Sequence, residues 1–289
     1  MQTEIHGIEF TTQFGGRPFS RAMAQSAGIT ESQLRAGLRH GMVRTLMRGV
    51  YVEANAPDSL TLRREAVRTA LVGSNGAIIC GPTAAWLYGV GSQSPSVGPT
   101  RARSARSYQP HDLINQSGFQ VTTPVRTSID LALQLSTPDA VAAWDFLFGR
   151  YRVGRGAILA ELSRFTRRDD HERITRCLAL VDDRANCRAE SLIRIAWVAG
   201  TLPTPIPGLV VRHESQRIRL ALGLTEQQFG VVISRADQAV DLAMLRRLGW
   251  GIVEVGARQV EAARPETLSR MLIGEYHRTL LSRVAPVSA

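Results

Sequence analysis

Residues 19–52, FSRAMAQSAGITESQLRAGLRHGMVRTLMRGVYV, combine two short helices, a tight turn and a basic β-hairpin. The first helix is predicted from about Phe19 to Ser26. Its inward side chains are expected to be Ala22, Met23 and Ala27. Gly28 then supplies a turn residue that tolerates a positive φ angle. This order of elements is typical of a winged helix-turn-helix.

The second helix of this stretch has a recognisable start. Thr30 can accept a hydrogen bond from the backbone N–H three residues later while the Gln33 side chain reaches back to Thr30, and this reciprocal pair is a capping box. Ile29, Leu34 and Leu38 form the predicted buried stripe. Gly41 lies where the C-terminal cap of the helix is expected.

A two-stranded wing is predicted after this helix, around a turn at Met47, Arg48 and Gly49. In a winged helix-turn-helix the second helix lies in the major groove of DNA and the wing follows the adjacent backbone. The candidate DNA-binding residues are Arg21, Thr30, Ser32, Gln33, Arg35, Arg39, His40, Arg44 and Arg48. The alternative interpretation is a small helical hairpin with a solvated basic face.

The composition favours a polyanionic partner. The chain has 289 residues and a net charge of +10, and its isoelectric point is about 10.7. All 35 basic residues are arginine, the side chain that binds phosphate and guanine through two parallel hydrogen bonds. A hydrophobic share of 44% is ordinary for a globular protein. The composition therefore permits DNA binding without establishing it.

Cysteine and histidine usage argues against disulfides and metal sites. Cys80, Cys177 and Cys187 are too few and too scattered for a disulfide framework, and we expect buried thiols in a reducing cytoplasm. The six histidines lie far apart, without carboxylates or thiolates at ligand spacing, so no metal and no other cofactor is expected. The sequence shows no signal peptide pattern and no apolar run of membrane length. We expect a cytoplasmic protein that associates with the nucleoid when bound to DNA.

We predict an α/β protein in three parts. A winged helix-turn-helix domain occupies residues 1–54, an α/β region follows over residues 55–186, and residues 187–289 form a mixed sheet with flanking helices. The last part includes predicted strands Arg217–Leu222 and Phe229–Ile233 and a helix Ala236–Leu248.

Two further arginine clusters lie in the first two-thirds of the chain. Arg63, Arg64 and Arg68 share one face of a predicted helix over residues 59–71, where they could extend a DNA contact or keep the surface soluble. Arg101, Arg103 and Arg106 lie in a loop rich in Ser, Gly and Pro, and a solvated charged loop is the favoured interpretation of that cluster.

Three motifs, LMRGVYV at 46–52, CGPTAAWLYGV at 80–90 and TTPVRTSIDLA at 122–132, carry a family resemblance. With them the chain resembles actinobacterial and phage proteins related to the AbiEi-family antitoxins of type IV toxin–antitoxin systems. The resemblance implies an N-terminal winged helix that binds operator DNA, usually to repress the protein's own operon. It also implies a toxin protein as a potential partner.

A fourth motif, RAESLIRIAWVAGTLPTPIP at 188–207 followed by LRRLGWGIVEV at 245–255, is similar to the Vsr-like branch of the PD-(D/E)XK nucleases. Such enzymes hold Mg²⁺ through acids on two strands, and a glutamate on the preceding helix assists. The resemblance implies that Glu190 fills the helix position. Arg219 then stands at the metal-binding aspartate, and Val232 and Ser234 stand where further carboxylates are expected.

One acid cannot hold a divalent ion, and an arginine at the metal position would repel one by Coulomb's law. The sequence therefore predicts a restriction-endonuclease-like domain that lacks its catalytic acids. Glu226, Asp237 and Asp241 are nearby acids that could replace them in a rearranged site.

Three functions remain open from the sequence. The leading hypothesis is a sequence-specific double-stranded DNA-binding regulator, antitoxin-like and repressing, that is not an enzyme. The second is a metal-dependent DNA endonuclease with rearranged carboxylates. In the third, the C-terminal part binds a toxin or another protein partner. A homodimer is the default expectation, because palindromic operator sites favour two-fold symmetry.

Overall fold

The structure, a computed structural model, describes residues 13–73, 77–91, 108–116, 118–214, 216–234 and 242–284. It is a mixed α/β protein, as predicted, and its strands form several small sheets. The chain forms two compact units, an N-terminal unit of residues 1–134 with 156–163 and a C-terminal unit of residues 135–155 with 164–289. The division into three functional segments stays a prediction. Among the described residues, no helix is both long and apolar enough to span a membrane.

The helices are numbered here in chain order. They are α1 (Arg21–Ser26), α2 (Glu31–Arg39), α3 (Leu60–Ala70), α4 (Gly81–Leu87), α5 (Pro124–Gln134), α6 (Thr137–Tyr151), α7 (Arg155–Glu161), α8 (Arg168–Leu180), α9 (Arg188–Ala199), α10 (Ala243–Arg247), α11 (Ala257–Ala262) and α12 (Pro265–Val284). Short 3₁₀ turns occur at Pro110–Asp112 and Leu162–Arg164.

The strands form four small sheets. They are β1 (Phe19–Ser20), β2 (Val43–Met47), β3 (Val50–Glu53), β4 (Ile78–Ile79), β5 (Leu113–Gln116), β6 (Phe119–Thr122), β7 (Ile206–Pro207), β8 (Val210–His213), β9 (Gln216–Arg219), β10 (Leu222–Leu224), β11 (Phe229–Ser234) and β12 (Gly251–Gly256). The N-terminal unit contains the orders β1-β3-β2 and β4-β6-β5, and the C-terminal unit contains β12-β11-β10-β7 and the hairpin β8-β9.

The first helix starts two residues later than predicted, at Arg21. Ser20 caps it by accepting a hydrogen bond from the backbone N–H of Met23, and Phe19 and Ser20 extend as a strand that pairs with β3. The inward residue is Ala24. The predicted inward residues Ala22, Met23 and Ala27 are exposed, so the predicted face of this helix was wrong.

A small apolar core supports α1, α2 and the first sheet. Phe19 is fully buried at its centre and stacks on Phe14 with ring centroids 4.0 Å apart. The predicted stripe is confirmed at Ile29 and Leu34, which are both 3% exposed, whereas Leu38 is half-buried. The remaining buried members are Ala24, Val43 and Tyr51. Burial of one face of α2 leaves its other face to the solvent.

The second sheet of the N-terminal unit leads into α5, the helix that carries the buried Arg126 of the TTPVRTSIDLA motif. Strand β6 pairs in parallel with β4 and in antiparallel with β5. On α5, Arg126 pairs with Asp130 at 2.9 Å and with Asp112 at 3.3 Å, and its guanidinium lies over the Tyr108 ring. Burial raises the pKa of Asp130 against the opposing effect of Arg126. This arginine therefore joins the 3₁₀ turn to α5.

The C-terminal unit has a separate core on its four-stranded sheet. Trp197 on α9 and Tyr276 on α12 both contact Phe229, with ring centroids 5.7 and 5.4 Å away.

The prediction of a single strand over Arg217–Leu222 was wrong. This segment is split into β9, which pairs with β8, and β10, which pairs with β11 and β7. The chain is buried at Leu220 and Ala221, where it passes between the two sheets.

Some predicted features lie outside the described residues. The predicted helix Ala236–Leu248 is described only as α10, because residues 235–241 are not included. The Arg101, Arg103 and Arg106 cluster and the acids Asp237 and Asp241 are likewise outside the described part of the chain.

Two arginines of α9 pair with two aspartates of α6 in opposite environments. Arg194 and Asp145 form a buried ion pair at 2.6 Å, with side chains 8% and 1% exposed. Asp145 also accepts from the Asp182 backbone N–H at 2.7 Å. Arg188 and Asp139 pair at the surface, with side chains 44% and 41% exposed. Because water screens the second pair, only the first is expected to contribute strongly to stability.

We expect the variant Arg194→Met to lower the free energy of unfolding by about 3–5 kcal/mol, because it leaves the Asp145 carboxylate buried without its cation. The matched variant Arg188→Met should cost below about 1 kcal/mol. Urea denaturation followed by circular dichroism measures both. Equal losses in the two variants would contradict this assignment.

Candidate nucleic-acid interface

The N-terminus of α2 is fixed by the predicted capping box, which the structure confirms. The Gln33 backbone N–H donates to Thr30 Oγ1 at 3.3 Å, and the Thr30 backbone N–H donates to Gln33 Oε1 at 2.7 Å. Ser32 Oγ lies 3.0 Å from Thr30 Oγ1. Three of the candidate DNA-binding residues therefore hydrogen-bond to one another, and they position the start of the helix.

Glu31, the first residue of α2, is an acid that lies among the candidate DNA-binding residues of this region, although the sequence did not predict a role for it. Its carboxylate pairs with Arg21 of α1 at 3.1 Å and with Arg35 of α2 at 3.0 Å. Both guanidinium groups remain more than half exposed, whereas Glu31 is 31% exposed. The Glu31–Arg35 contact has the i,i+4 spacing that favours helical ion pairs, so the sequence did contain a signal for half of this triad.

The other end of α2 carries the candidates Arg39 and His40. Both are exposed, and His40 is the C-cap residue. Gly41 follows with a φ of 68°, the left-handed conformation expected where this helix ends. Arg39 lies in the last helical turn, where its charge is favourable beside the helix dipole. Its side chain is exposed to solvent.

The two candidate arginines of the β2–β3 hairpin differ in their surroundings. Arg48 lies at the exposed turn between the strands, next to Gly49, whose φ is 79°. Arg44 is half-buried and donates from Nη2 to the Ala56 carbonyl at 2.9 Å. Arg44 thus attaches the hairpin to the segment after β3, whereas Arg48 presents its charge to solvent.

The three arginines predicted on one face of α3 do not share an environment. The Arg63 side chain is 7% exposed and pairs with Asp58 at 2.5 Å, while Arg68 is exposed and Arg64 is half-buried. Arg63 also donates to the Trp86 carbonyl at 2.8 Å. The Arg63 hydrogen bond lowers the pKa of Asp58. The interpretation of a common solvated face was therefore wrong for Arg63, which joins α3 to α4.

In the C-terminal unit, Glu190 and Arg219 lie together. Arg219 donates from Nη1 to Glu190 Oε1 at 2.6 Å and from Nη2 to Glu190 Oε2 at 2.9 Å. Glu190 also accepts from the Asn186 backbone N–H at 2.8 Å, and Arg219 donates to the Arg184 carbonyl at 3.0 Å. Both carboxylate oxygens of Glu190 thus accept hydrogen bonds from the Arg219 guanidinium and are not free to bind a metal ion.

Val232 and Ser234 of β11 do not join this ion pair. Val232 is 2% exposed and belongs to an apolar cluster with Leu220, Leu242, Met244 and Leu245. Ser234 Oγ donates to the Val255 carbonyl at 3.4 Å. Of the suggested replacement acids, Glu226 is exposed in the segment before β11. The four positions predicted to form a degenerate nuclease site thus contribute one paired acid, its arginine and two uncharged residues.

Among the described residues, the fold brings together a cluster of potential metal ligands that the spacing of these residues along the sequence did not indicate. Ligand atoms of His111, Asp112 and Glu161 lie within 4.8 Å of one another. Asp112 already pairs with Arg126 at 3.3 Å and accepts from the Gln109 backbone N–H at 2.8 Å. A guanidinium beside the only buried ligand opposes a second cation at this position. Glu161 is distant in sequence from the other two, which is why spacing rules miss the cluster.

We expect Thr30→Ala to lower the free energy of unfolding by about 1 kcal/mol, because it removes the hydroxyl that accepts the Gln33 N–H. The conservative variant Thr30→Ser should retain most of the stability. Thermal unfolding followed by circular dichroism tests both. A Thr30→Ser variant as unstable as Thr30→Ala would show that the cap is not the stabilising group.

Comparison with known proteins finds relatives whose names describe no activity. No family model matches the chain. The chain is similar to two uncharacterized proteins of Mycobacterium tuberculosis, MT2308 of strain CDC 1551 / Oshkosh and Rv2248 of strain ATCC 25618 / H37Rv. Each is 28% identical over 190 residues, covering 61% of this chain and 68% of the relative. These names state no function, so a functional proposal depends on the geometry described above.

Proposed function

We propose that this chain is a sequence-specific double-stranded DNA-binding regulator, antitoxin-like and repressing, in which residues 19–53 act as a winged helix-turn-helix. The observation that carries the proposal is α2 itself. Its start is fixed by a capping box, and the face that carries Leu34 is buried. Its polar face is exposed, as is Arg48 at the turn of the β2–β3 hairpin. A helix held in this way can enter a major groove without first being ordered.

We assign different roles to the arginines of the proposed interface. Arg35, near the start of α2, is assigned to a base edge, because the N-terminal part of a recognition helix approaches the bases. Arg39 and Arg48 are exposed and are assigned to phosphates. A single recognition helix makes few base contacts, so we assign the second half-site to a second copy of this chain.

The pair formed by Arg219 and Glu190 supports binding over cleavage. Phosphodiester hydrolysis by this class of nuclease needs a carboxylate set that holds Mg²⁺. Here the carboxylate oxygens of Glu190 accept from Arg219 at 2.6 and 2.9 Å. The guanidinium balances the carboxylate and would repel a divalent ion placed beside it. We therefore assign no catalytic step to the C-terminal unit.

Two arginine variants separate base reading from phosphate binding. Arg35→Gln should weaken binding to the preferred site by about 1–3 kcal/mol and relax one position of it. Arg48→Gln should weaken binding to every duplex and reduce the slope of log K against log[salt] by about 0.9, as expected for one lost phosphate contact. Fluorescence polarisation titrations with a preferred and a random-sequence duplex measure both effects.

The matched control for these titrations is Arg168→Gln. Arg168 is 90% exposed and already pairs with Glu172 at 2.8 Å. Its replacement therefore removes one positive charge, as Arg48→Gln does, but no arginine that we assign to a DNA phosphate. The proposal is contradicted if Arg48→Gln and Arg168→Gln change the salt slope equally, or if the wild-type protein shows no salt-dependent binding to any duplex.

Glu31 is expected to restrain non-specific binding. Its carboxylate holds Arg21 and Arg35 and would face DNA phosphates as a like charge. We expect Glu31→Gln to tighten binding to a random-sequence duplex and to steepen the salt slope by about 0.9 for each arginine released. The ratio of specific to random-sequence affinity should fall. The same polarisation assay measures it, and weaker binding of Glu31→Gln to random sequence would contradict the role.

A further inference from the structure

The hairpin β8–β9 places two arginines directly opposite each other. In its antiparallel register Arg212 pairs with Arg217, and Val211 pairs with Ile218. Side chains directly across such a pair have Cβ atoms about 4.5–5.5 Å apart, and like charges in these positions are destabilising. Both arginines are exposed. The hairpin thus contains an electrostatically unfavourable pair at its surface.

The two faces of the hairpin are chemically different. Val211 and Ile218 pack against the apolar cluster that contains Val232 and Leu245. Because side chains alternate along a strand, Arg212, Arg217 and Arg219 lie on the opposite face. Arg219 is neutralised by Glu190 at 2.6 Å. Within the described residues, neither Arg212 nor Arg217 has an acid at ion-pairing distance. Glu214, at the hairpin tip, lies 3.9 Å from His213 Nε2.

An anion between the two guanidinium groups would convert this repulsion into attraction. Phosphate suits them because each guanidinium presents parallel N–H donors that match two phosphate oxygens. The arginine face has Val210 beside Arg212 and no aromatic side chain, because His213 alternates onto the face of Val211. It therefore lacks the stacking surface that binds unpaired bases. Repeated phosphates on the outside of a duplex fit the face better than a single strand.

We propose that Arg212 and Arg217 form a second DNA contact, in which the β8–β9 hairpin binds the phosphate backbone of a duplex without reading its bases. The identity of the polyanion rests on the proposed function, whereas the site itself lies in the C-terminal unit and is separate from α2. This contact gives the C-terminal unit a role in binding that requires no metal and no catalytic acid.

The test uses the full chain and a labelled random-sequence DNA duplex, titrated by fluorescence polarisation between about 50 and 200 mM salt. The hairpin variant is Arg212→Gln with Arg217→Gln. Its matched control is Arg168→Gln with Arg278→Gln, since these exposed arginines already pair with Glu172 and Glu275. A third variant, Arg39→Gln with Arg48→Gln, reports on the proposed winged helix separately.

The hairpin variant should reduce the salt slope by about 1.8, which corresponds to two lost phosphate contacts at about 0.9 each. The control should leave the slope close to that of the wild type. The thermal midpoint of the hairpin variant should be unchanged or raised, because a like-charge pair has been removed. A lowered midpoint would show that the arginines serve folding and would overturn the proposal.

The remaining outcomes distinguish the two proposals. If Arg39→Gln with Arg48→Gln weakens binding and the hairpin variant binds as the wild type does, the hairpin contact is wrong and the winged helix stands. If only the hairpin variant weakens binding, the hairpin contact stands and the winged helix assignment is wrong. Loss of binding to phosphatidylserine vesicles, or to an RNA duplex, without any loss on DNA would overturn the choice of partner.

Discussion

The pairing of guanidinium groups with carboxylates is the constraint on which this structure depends. All 35 basic residues are arginine against 25 acids, so the chain cannot neutralise every cation internally. Arg63, Arg126 and Arg194 are buried, each held by an aspartate, and Arg63 and Arg194 also donate to backbone carbonyls. An unpaired guanidinium could not occupy these sites, because burying an isolated charge is too costly. The acids therefore stabilise the interior, and the excess positive charge remains at the surface.

This distribution of charge links the fold to the proposed function. Among the described arginines, those at the exposed end of α2, at the β2–β3 turn and on the β8–β9 hairpin are the ones we assign to DNA phosphate. Glu31 and Glu190 modify the pattern in different ways. Glu31 is shared by the exposed Arg21 and Arg35 and leaves the N-terminal end of α2 with a net positive charge, whereas Glu190 is matched by Arg219 alone. We propose that the first arrangement moderates DNA binding. In the second, Arg219 occupies the carboxylate that the nuclease resemblance assigned to a metal site.

Local features were predictable from the sequence, and long-range contacts were not. The capping box at Thr30 and Gln33, the left-handed Gly41 and the β2–β3 hairpin depend on residues within a few positions of one another. By contrast, the burial of Arg63 depends on Trp86, 23 residues away. The division of residues 217–222 between two sheets depends on partners in β7, β8 and β11. Likewise, the pairing of Glu31 with Arg21 could not be predicted, because Arg21 lies on another helix, whereas its pairing with Arg35 has a local i,i+4 spacing.

Selection from a randomised DNA duplex library tests the central claim most directly. The full chain would be incubated with the library at about 150 mM salt, and the bound duplexes would be sequenced. The account predicts enrichment of a defined site, with half-sites about one helical turn apart if two copies bind, and loss of preference at one position with Arg35→Gln. Recovery of duplexes without any enriched sequence, or no recovery above a protein-free control, would contradict it.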